Sequence, residues 1–106
     1  MKLLTACIKA APLLPSQCGG VYLLACPSCV YAGMTVAGFG RRWQEHLDDL
    51  RRGHHVNDVL RAAWKAHGDL HATALWIGPK VQTRPMEIFW MQELRRRGYR
   101  LANEVA

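Results

Sequence analysis

The sequence lacks any long hydrophobic run, although 50% of its 106 residues are hydrophobic. A membrane-spanning helix needs about 20 consecutive apolar residues, and no stretch approaches that length. Leu4-Thr5-Ala6-Cys7 resembles a lipoprotein cleavage site, but too few residues precede it for a secretory apolar segment, and Lys9 follows at once. The sequence therefore predicts an intracellular, cytoplasmic protein that has no membrane partner.

A second cysteine pair is also missing. The four cysteines are Cys7, Cys18, Cys26 and Cys29. Cys26-Pro27-Ser28-Cys29 has the spacing of half a zinc site, but zinc sites usually need a further pair of ligands at matching spacing. His54 and His55 would complete it only if the tertiary structure brought them there. We predict turn and strand cysteines in a reducing compartment and no zinc; a zinc-stabilised interaction domain is the alternative.

Acidic residues are scarce, with 8 against 14 basic residues and a formal net charge of +6. Such a charge favours a polyanionic partner, for which nucleic acid is one candidate. The first 40 residues carry only two basic residues, so the positive charge lies in the remainder of the chain. Solvated helix faces balanced by acidic neighbours are the alternative interpretation. The candidate nucleic-acid-binding residues are Arg41, Arg51, Arg52 and Lys65.

Two short apolar runs, each with one tyrosine, lie between clusters of glycine, proline and serine. These runs, 21–25 and 29–34, predict a β-hairpin closed by a Pro-Ser turn. Because side chains alternate between the faces of a strand, Tyr31 should share a face with Gly33. Tyr22 on the neighbouring strand can then lie beside Tyr31.

The rest of the chain alternates helical and strand patterns. Apolar residues at helical spacing, ended by glycines, predict three helices, and an alternating run predicts a third strand. The helices are expected at about 40–52, 57–67 and 83–97, with Thr83 capping the last, and the strand at 71–78. The order β-β-α-α-β-α predicts an α+β domain with a small, three-stranded, mainly antiparallel sheet flanked by three helices. We assign 20–106 to this domain and 1–19 to an N-terminal arm whose structure the sequence leaves open.

Gly20-Val21-Tyr22 and Tyr31-Ala32-Gly33 resemble the two tripeptides that name the GIY-YIG nuclease superfamily. Val21 and Ala32 replace the isoleucines of that name, and both are small and apolar. The order and spacing of the tripeptides carry the resemblance, which extends over residues 20–103. The further matching residues are Arg42, His46, Leu50, Gly53, His54, Asn57, Leu60, Trp64, Glu87 and Asn103.

The resemblance implies five catalytic residues. Glu87 would hold one Mg²⁺ or Mn²⁺ ion, a hard cation that accepts a single carboxylate together with waters and a phosphate. Tyr22 would act as general base or orient the attacking water. Arg42 would lower the pKa of that phenol and bind the phosphate oxygens. Tyr31 and His46 would hydrogen-bond the water, the phosphate or Tyr22.

The supporting residues implied by the resemblance are Gly33, Asn57 and Asn103. Asn57 is also a plausible helix cap, and Glu87 on its own would be an ordinary first-turn glutamate. The resemblance implies a metal-dependent DNA endonuclease. The alternative is a basic nucleic-acid-binding module of the same fold that is catalytically inactive. A homodimer is one route to double-strand cutting, because one site in a monomer would nick one strand.

Overall fold

The structure is a computed structural model that describes residues 2–105, with side chains described for 4–103. Met1 and Ala106, the outer ends of the two predicted segments 1–19 and 20–106, lie outside the described residues. The strands are β1 (Cys18–Ala25), β2 (Val30–Thr35) and β3 (His71–Pro79). The α-helices are α1 (Lys2–Lys9), α2 (Phe39–Arg52), α3 (Asp58–His67), α4 (Thr83–Arg96) and α5 (Ala102–Val105), and a 3₁₀ turn spans Lys80–Gln82.

The three strands form one antiparallel sheet in the order β2-β1-β3. The predicted α+β class and antiparallel sheet are confirmed. The alternation expected in the third strand is interrupted, because Val21 pairs with Trp76 and Tyr22 pairs with Ala74. Leu75 is thus the extra residue of a β-bulge, which bends the strand and changes the face of the residues beyond it.

Helices cover both faces of the sheet. On one face, α2 contributes Phe39, Trp43 and Leu47 to a buried cluster that includes Tyr22 and Leu24 of β1. On the other face, α4 and the C-terminal segment bury a smaller cluster against β2, made of Val30, Ala32, Leu94 and Leu101. The two sides follow from the strand period of two, which sends neighbouring residues to opposite faces. The first face carries both tyrosines of the hairpin.

The segment before the sheet contains a helix. α1 packs against α2 and β3, and Leu4 is completely buried in the main cluster. Cys7 Sγ accepts a hydrogen bond from the backbone of Ala72 at 3.4 Å. This helix and the short α5 are additions to the three helices that the sequence predicts. No helix among residues 2–105 is long and apolar enough to cross a membrane.

Helix ends follow local chemistry, with one exception. Asn57 caps α3 by accepting a hydrogen bond from the backbone of Leu60 at 2.9 Å, as predicted. Thr83 does not cap α4, and that prediction was wrong. It is the first residue of the helix, and its buried hydroxyl finds no hydrogen-bond partner among the described residues. Thr83 instead fills the space above Gly19, where a Cβ would collide with it.

Candidate active site

The two tyrosines of the hairpin lie on the same face of the sheet. Tyr22 is opposite Gly33 and Leu24 is opposite Tyr31, so the phenols are diagonal neighbours. A Cβ added at Gly33 would overlap the Tyr22 ring. The absence of a side chain at this position lets the buried phenol lie across β2, which explains why a glycine is needed there.

His46 of α2 connects Tyr22 to a second histidine. Tyr22 Oη lies 2.5 Å from His46 Nε2, and His46 Nδ1 lies 2.7 Å from His55 Nε2. The two imidazoles stack with centroids 5.0 Å apart, and the ring of Tyr31 packs edge-on against both. The hydrogen-bonded chain therefore runs from the sheet through α2 to the loop before α3.

Sequence reasoning missed His55 and pointed to its neighbour His54, which is exposed. His55 is 2% exposed and takes the place beside His46. Its Nδ1 accepts a hydrogen bond from the backbone of Asn57 at 3.1 Å. The adjacent histidines before a helix cap were the available signal, but only the backbone path shows which of the two points inward.

The side chains of Tyr22, Tyr31, His46 and His55 form a cluster, and Arg42 lies at its edge, one helical turn before His46. Burial raises the pKa of Tyr22 and Tyr31, and the Arg42 guanidinium partly opposes that rise. Arg42 is also hydrogen-bonded to Glu45 at 3.1 Å. Burial by itself would lower the pKa of Arg42. The combined effect of its neighbours Tyr22, Glu45 and Tyr31 is larger and raises that pKa. The neighbouring Arg41 points outward, with 73% of its side chain exposed against 38% for Arg42. The structure thus places Arg42, and not Arg41, in the cluster.

Glu87 supplies the carboxylate of the cluster from the second turn of α4, just beyond the first turn in which the sequence places it. It is only 7% exposed and forms an ion pair with Arg84. Its negative charge contributes to the raised pKa of both Tyr22 and Tyr31, so it lies within electrostatic reach of both phenols. Residues 2–105 contain no group of three or more His, Cys, Asp or Glu that could hold a metal ion. A single carboxylate of this kind fits a hard cation that keeps most of its waters.

Burial keeps His46, His55 and Tyr22 in their neutral forms. Burial, the Arg42 charge and His55 lower the pKa of His46 to about 3. Burial also lowers the pKa of His55, with Asp49 opposing and Arg42 and Arg61 adding to the shift. Burial raises the pKa of the Tyr22 phenol, and Arg42 only partly opposes it. At neutral pH the histidines are therefore uncharged, and Tyr22 is a phenol.

Two asparagines hold the framework of the site and do not enter the cluster. Asn103 bonds both backbone groups of Ala32, accepting from its N–H at 2.9 Å and donating to its carbonyl at 2.8 Å. This clamps the C-terminal segment onto β2 between Tyr31 and Gly33. Asn57 caps α3 and also donates to the carbonyl of Ala102 at 3.1 Å. Both residues tie the end of the chain to the elements that carry the tyrosines.

Two solved structures are similar to this chain in overall fold. One is the catalytic domain of the homing endonuclease I-TevI, 28% identical, with 73% of this chain and 88% of that domain covered and a TM-score of 0.67. The other is a mutant of the catalytic domain of the intron endonuclease I-TevI, with the same identity and TM-score and coverage of 77% and 91%. The chain is a GIY-YIG-like domain. No protein-family model matches the chain, and no curated protein matches it at a significant level.

The likeness supports nuclease function in general for this GIY-YIG-like domain. The roles of individual side chains remain predictions that rest on the geometry of the cluster.

Three of the four candidate nucleic-acid-binding residues of the GIY-YIG-like domain lie away from the cluster. Arg51, Arg52 and Lys65 line a groove between α2 and α3, together with Arg61 and Trp64. Arg51 is nine residues beyond Arg42, or about 14 Å along the helix axis. The groove and the cluster are therefore separate, and α2 is the helix that contributes to both.

The cysteine pair of the GIY-YIG-like domain closes the hairpin. Cys26 and Cys29 are free thiols with sulfurs 3.3 Å apart, and the backbone N–H of Cys26 donates to the carbonyl of Cys29 at 3.0 Å. Burial raises the pKa of Cys29 to about 11. Both residues occupy the turn positions that the sequence predicts.

Proposed function

We propose that this protein is a DNA endonuclease that uses one divalent cation to hydrolyse phosphodiester bonds. The proposal rests on the position of Tyr22, on which the polar groups that this reaction needs all act. Its hydroxyl is bonded to His46 and lies within the electrostatic influence of Arg42, Tyr31 and Glu87. A phenol, a guanidinium and a carboxylate from β1, α2 and α4 thus lie within electrostatic reach of one another at Tyr22.

Each residue has a role that its surroundings permit. Glu87 would hold Mg²⁺ or Mn²⁺, an ion that polarises a phosphoryl oxygen and stabilises the leaving oxygen. Arg42 would bind the non-bridging oxygens of the scissile phosphate through its planar fork. Tyr22 would orient the attacking water as a phenol. It becomes competent as a base when its pKa falls, and neutralising the charge of Glu87 removes one of the influences that raise it.

The test is incubation of the purified protein with supercoiled plasmid, with Mg²⁺, with Mn²⁺ and with a chelator. Nicked circles that form with either metal and not in the chelator would support the proposal. The initial ratio of nicked to linear product would then show whether one or two sites act at a time.

A nucleic-acid-binding module without turnover is the second candidate, and the basic groove of Arg51, Arg52, Arg61 and Lys65 favours it. Such a module would bind DNA in the chelator, with an affinity that falls steeply as salt rises. Binding with no product at any metal concentration, on plasmid and on branched duplexes, would establish the module and overturn the endonuclease.

Arg84→Gln is expected to lower the Mg²⁺ concentration that gives half-maximal nicking by about two- to fivefold. The partly exposed ion pair with Glu87 must be broken before the carboxylate can bind a cation, and such a pair contributes less than about 1 kcal/mol. Nicking rates measured across a Mg²⁺ titration check this. Arg96→Gln is the control, because Arg96 pairs with Glu93 farther along the same helix. An unchanged metal requirement in Arg84→Gln would show that the pair does not compete with the cation.

Arg42→Lys is expected to lower the nicking rate by about 10- to 100-fold, because an ammonium cannot bind two phosphate oxygens as a guanidinium does. Arg41→Lys, one residue away but pointing outward, should change the rate by less than about twofold. Initial rates at saturating metal compare the two variants. Equal effects would mean that the orientation of the two arginines on α2 does not decide their roles.

A further inference from the structure

A buried hydrogen-bonded chain crosses the site from a backbone amide to the phenol of Tyr22. The N–H of Asn57 donates to His55 Nδ1 at 3.1 Å. His55 Nε2 lies 2.7 Å from His46 Nδ1, and His46 Nε2 lies 2.5 Å from Tyr22 Oη. Tyr22, His46 and His55 are each no more than 2% exposed.

The hydrogen bond between Asn57 and His55 can have only one direction. A backbone N–H is always a donor, so His55 Nδ1 must carry a lone pair and not a hydrogen. A neutral imidazole has one N–H, which in His55 is therefore on Nε2 and donates to His46 Nδ1. His46 Nδ1 then carries the lone pair, and its single hydrogen lies on Nε2, where it donates to the oxygen of Tyr22.

We propose that the backbone amide of Asn57 holds both histidines in the Nε2–H tautomer and makes His46 an obligatory donor to Tyr22. His55 is then a positioning residue that acts through His46. The opposite polarity would set two N–H groups against each other at Asn57. A doubly protonated His46 would do the same at His55, and buried donors left facing each other are strongly disfavoured.

The polarity has a consequence for the phenol. Tyr22 Oη accepts from His46, so its own hydrogen must point elsewhere. The groups other than His46 that act on Tyr22 are Arg42, Tyr31 and Glu87. His46 has no lone pair at Nε2 with which to remove that hydrogen, so it cannot serve as the base for Tyr22.

The burial of His46 and His55 and the charges around them favour the neutral form of both rings. Arg42 on α2 and Arg61 on α3 face it with positive charge, and Asp49 faces it with negative charge. Burial has the largest effect and lowers the pKa of both rings. The tautomers follow from the geometry alone; their importance for catalysis rests on the proposed endonuclease function.

The tautomers are measured directly by long-range ¹H–¹⁵N NMR on uniformly labelled protein at neutral pH without metal or DNA. His46 and His55 are each expected to show a protonated Nε2 and an unprotonated Nδ1. The exposed His54 is the internal control and should show an averaged signal. A hydrogen on Nδ1 of either buried histidine in the unmodified protein would overturn the proposal.

Two variants of nearly equal shape test whether the polarity acts on catalysis. In His55→Gln the amide can accept from Asn57 and still donate to His46, so His46 keeps its hydrogen on Nε2 only. In His55→Glu the carboxylate only accepts, so the spectrum should show a hydrogen on Nδ1 of His46. We expect the nicking rate of His55→Glu to be about tenfold or more below that of His55→Gln.

The outcomes separate this proposal from the proposed function. Equal nicking rates in the two variants, with both folded by thermal unfolding, would overturn the positioning role of His55. Absence of nicking in every protein, the unmodified one included, would overturn the endonuclease, while the NMR spectrum of the unmodified protein would still decide the tautomers.

Discussion

Glu87→Gln is expected to lower the rate of metal-dependent plasmid nicking by about 10³-fold or more. The charge of Glu87 acts on both Tyr22 and Tyr31, and its amide replacement cannot bind a hard cation with comparable strength. Loss of the cation removes several kcal/mol of transition-state stabilisation, and each 1.4 kcal/mol corresponds to about a factor of ten in rate. The measurement is the initial rate at saturating Mg²⁺ and at saturating Mn²⁺.

Glu93→Gln is the matched control for this experiment. Glu93 lies on the same helix, forms ion pairs with Arg96 and Arg97, and is equally neutralised by the substitution. It should reduce the rate by less than about twofold, because these are pairs at the surface. Full activity in Glu87→Gln would show that the carboxylate does not hold the cation, and would leave the metal role to another group.

Tyr22→Phe is expected to lower the nicking rate by about 10²- to 10⁴-fold, the range that a positioned proton-transfer group contributes. The substitution removes one oxygen, the acceptor of the hydrogen bond from His46, and leaves the ring that packs against Trp43. The fold should persist, because the ring still fills the space above Gly33. Initial rates with Mg²⁺, together with thermal unfolding, separate a catalytic loss from a structural one.

Tyr99→Phe provides the comparison, since Tyr99 is 52% exposed and lies outside the cluster. Its rate should match that of the unmodified protein. Retention of nicking in Tyr22→Phe would rule out the phenol as the group that orients or activates water. The water would then have to be positioned by Tyr31 or by the chain of histidines.

The local parts of the site were predictable from the sequence. Alternation in a strand placed Tyr31 and Gly33 on one face, and the four-residue spacing placed Arg42 and His46 on one side of α2. The same spacing separated Arg42 from Arg41, and the structure agrees. These relations depend only on the periods of helix and strand, which a sequence displays directly.

The parts that the sequence did not show depend on distant segments. His55 was overlooked beside His54, because which of two adjacent loop residues points inward depends on the path of the backbone into α3. The bulge at Leu75 was missed, because it reflects how β3 pairs with β1 and not the composition of β3. The partner of Asn103 could not be derived either, since it lies 71 residues away in β2.

The sequence by itself determined the hairpin, the three main helices, the α+β class and the resemblance on which the predicted site residues depend. Those features follow from local periodicity and from residue types at short spacing. Only the tertiary structure decided that α1 joins the core, that Glu87 lies within electrostatic reach of the tyrosines while paired with Arg84, and that Asn57 sets the direction of the histidine chain. Each of these depends on segments that meet only when the chain folds, where burial and hydrogen-bond geometry select one arrangement among those the local pattern allows.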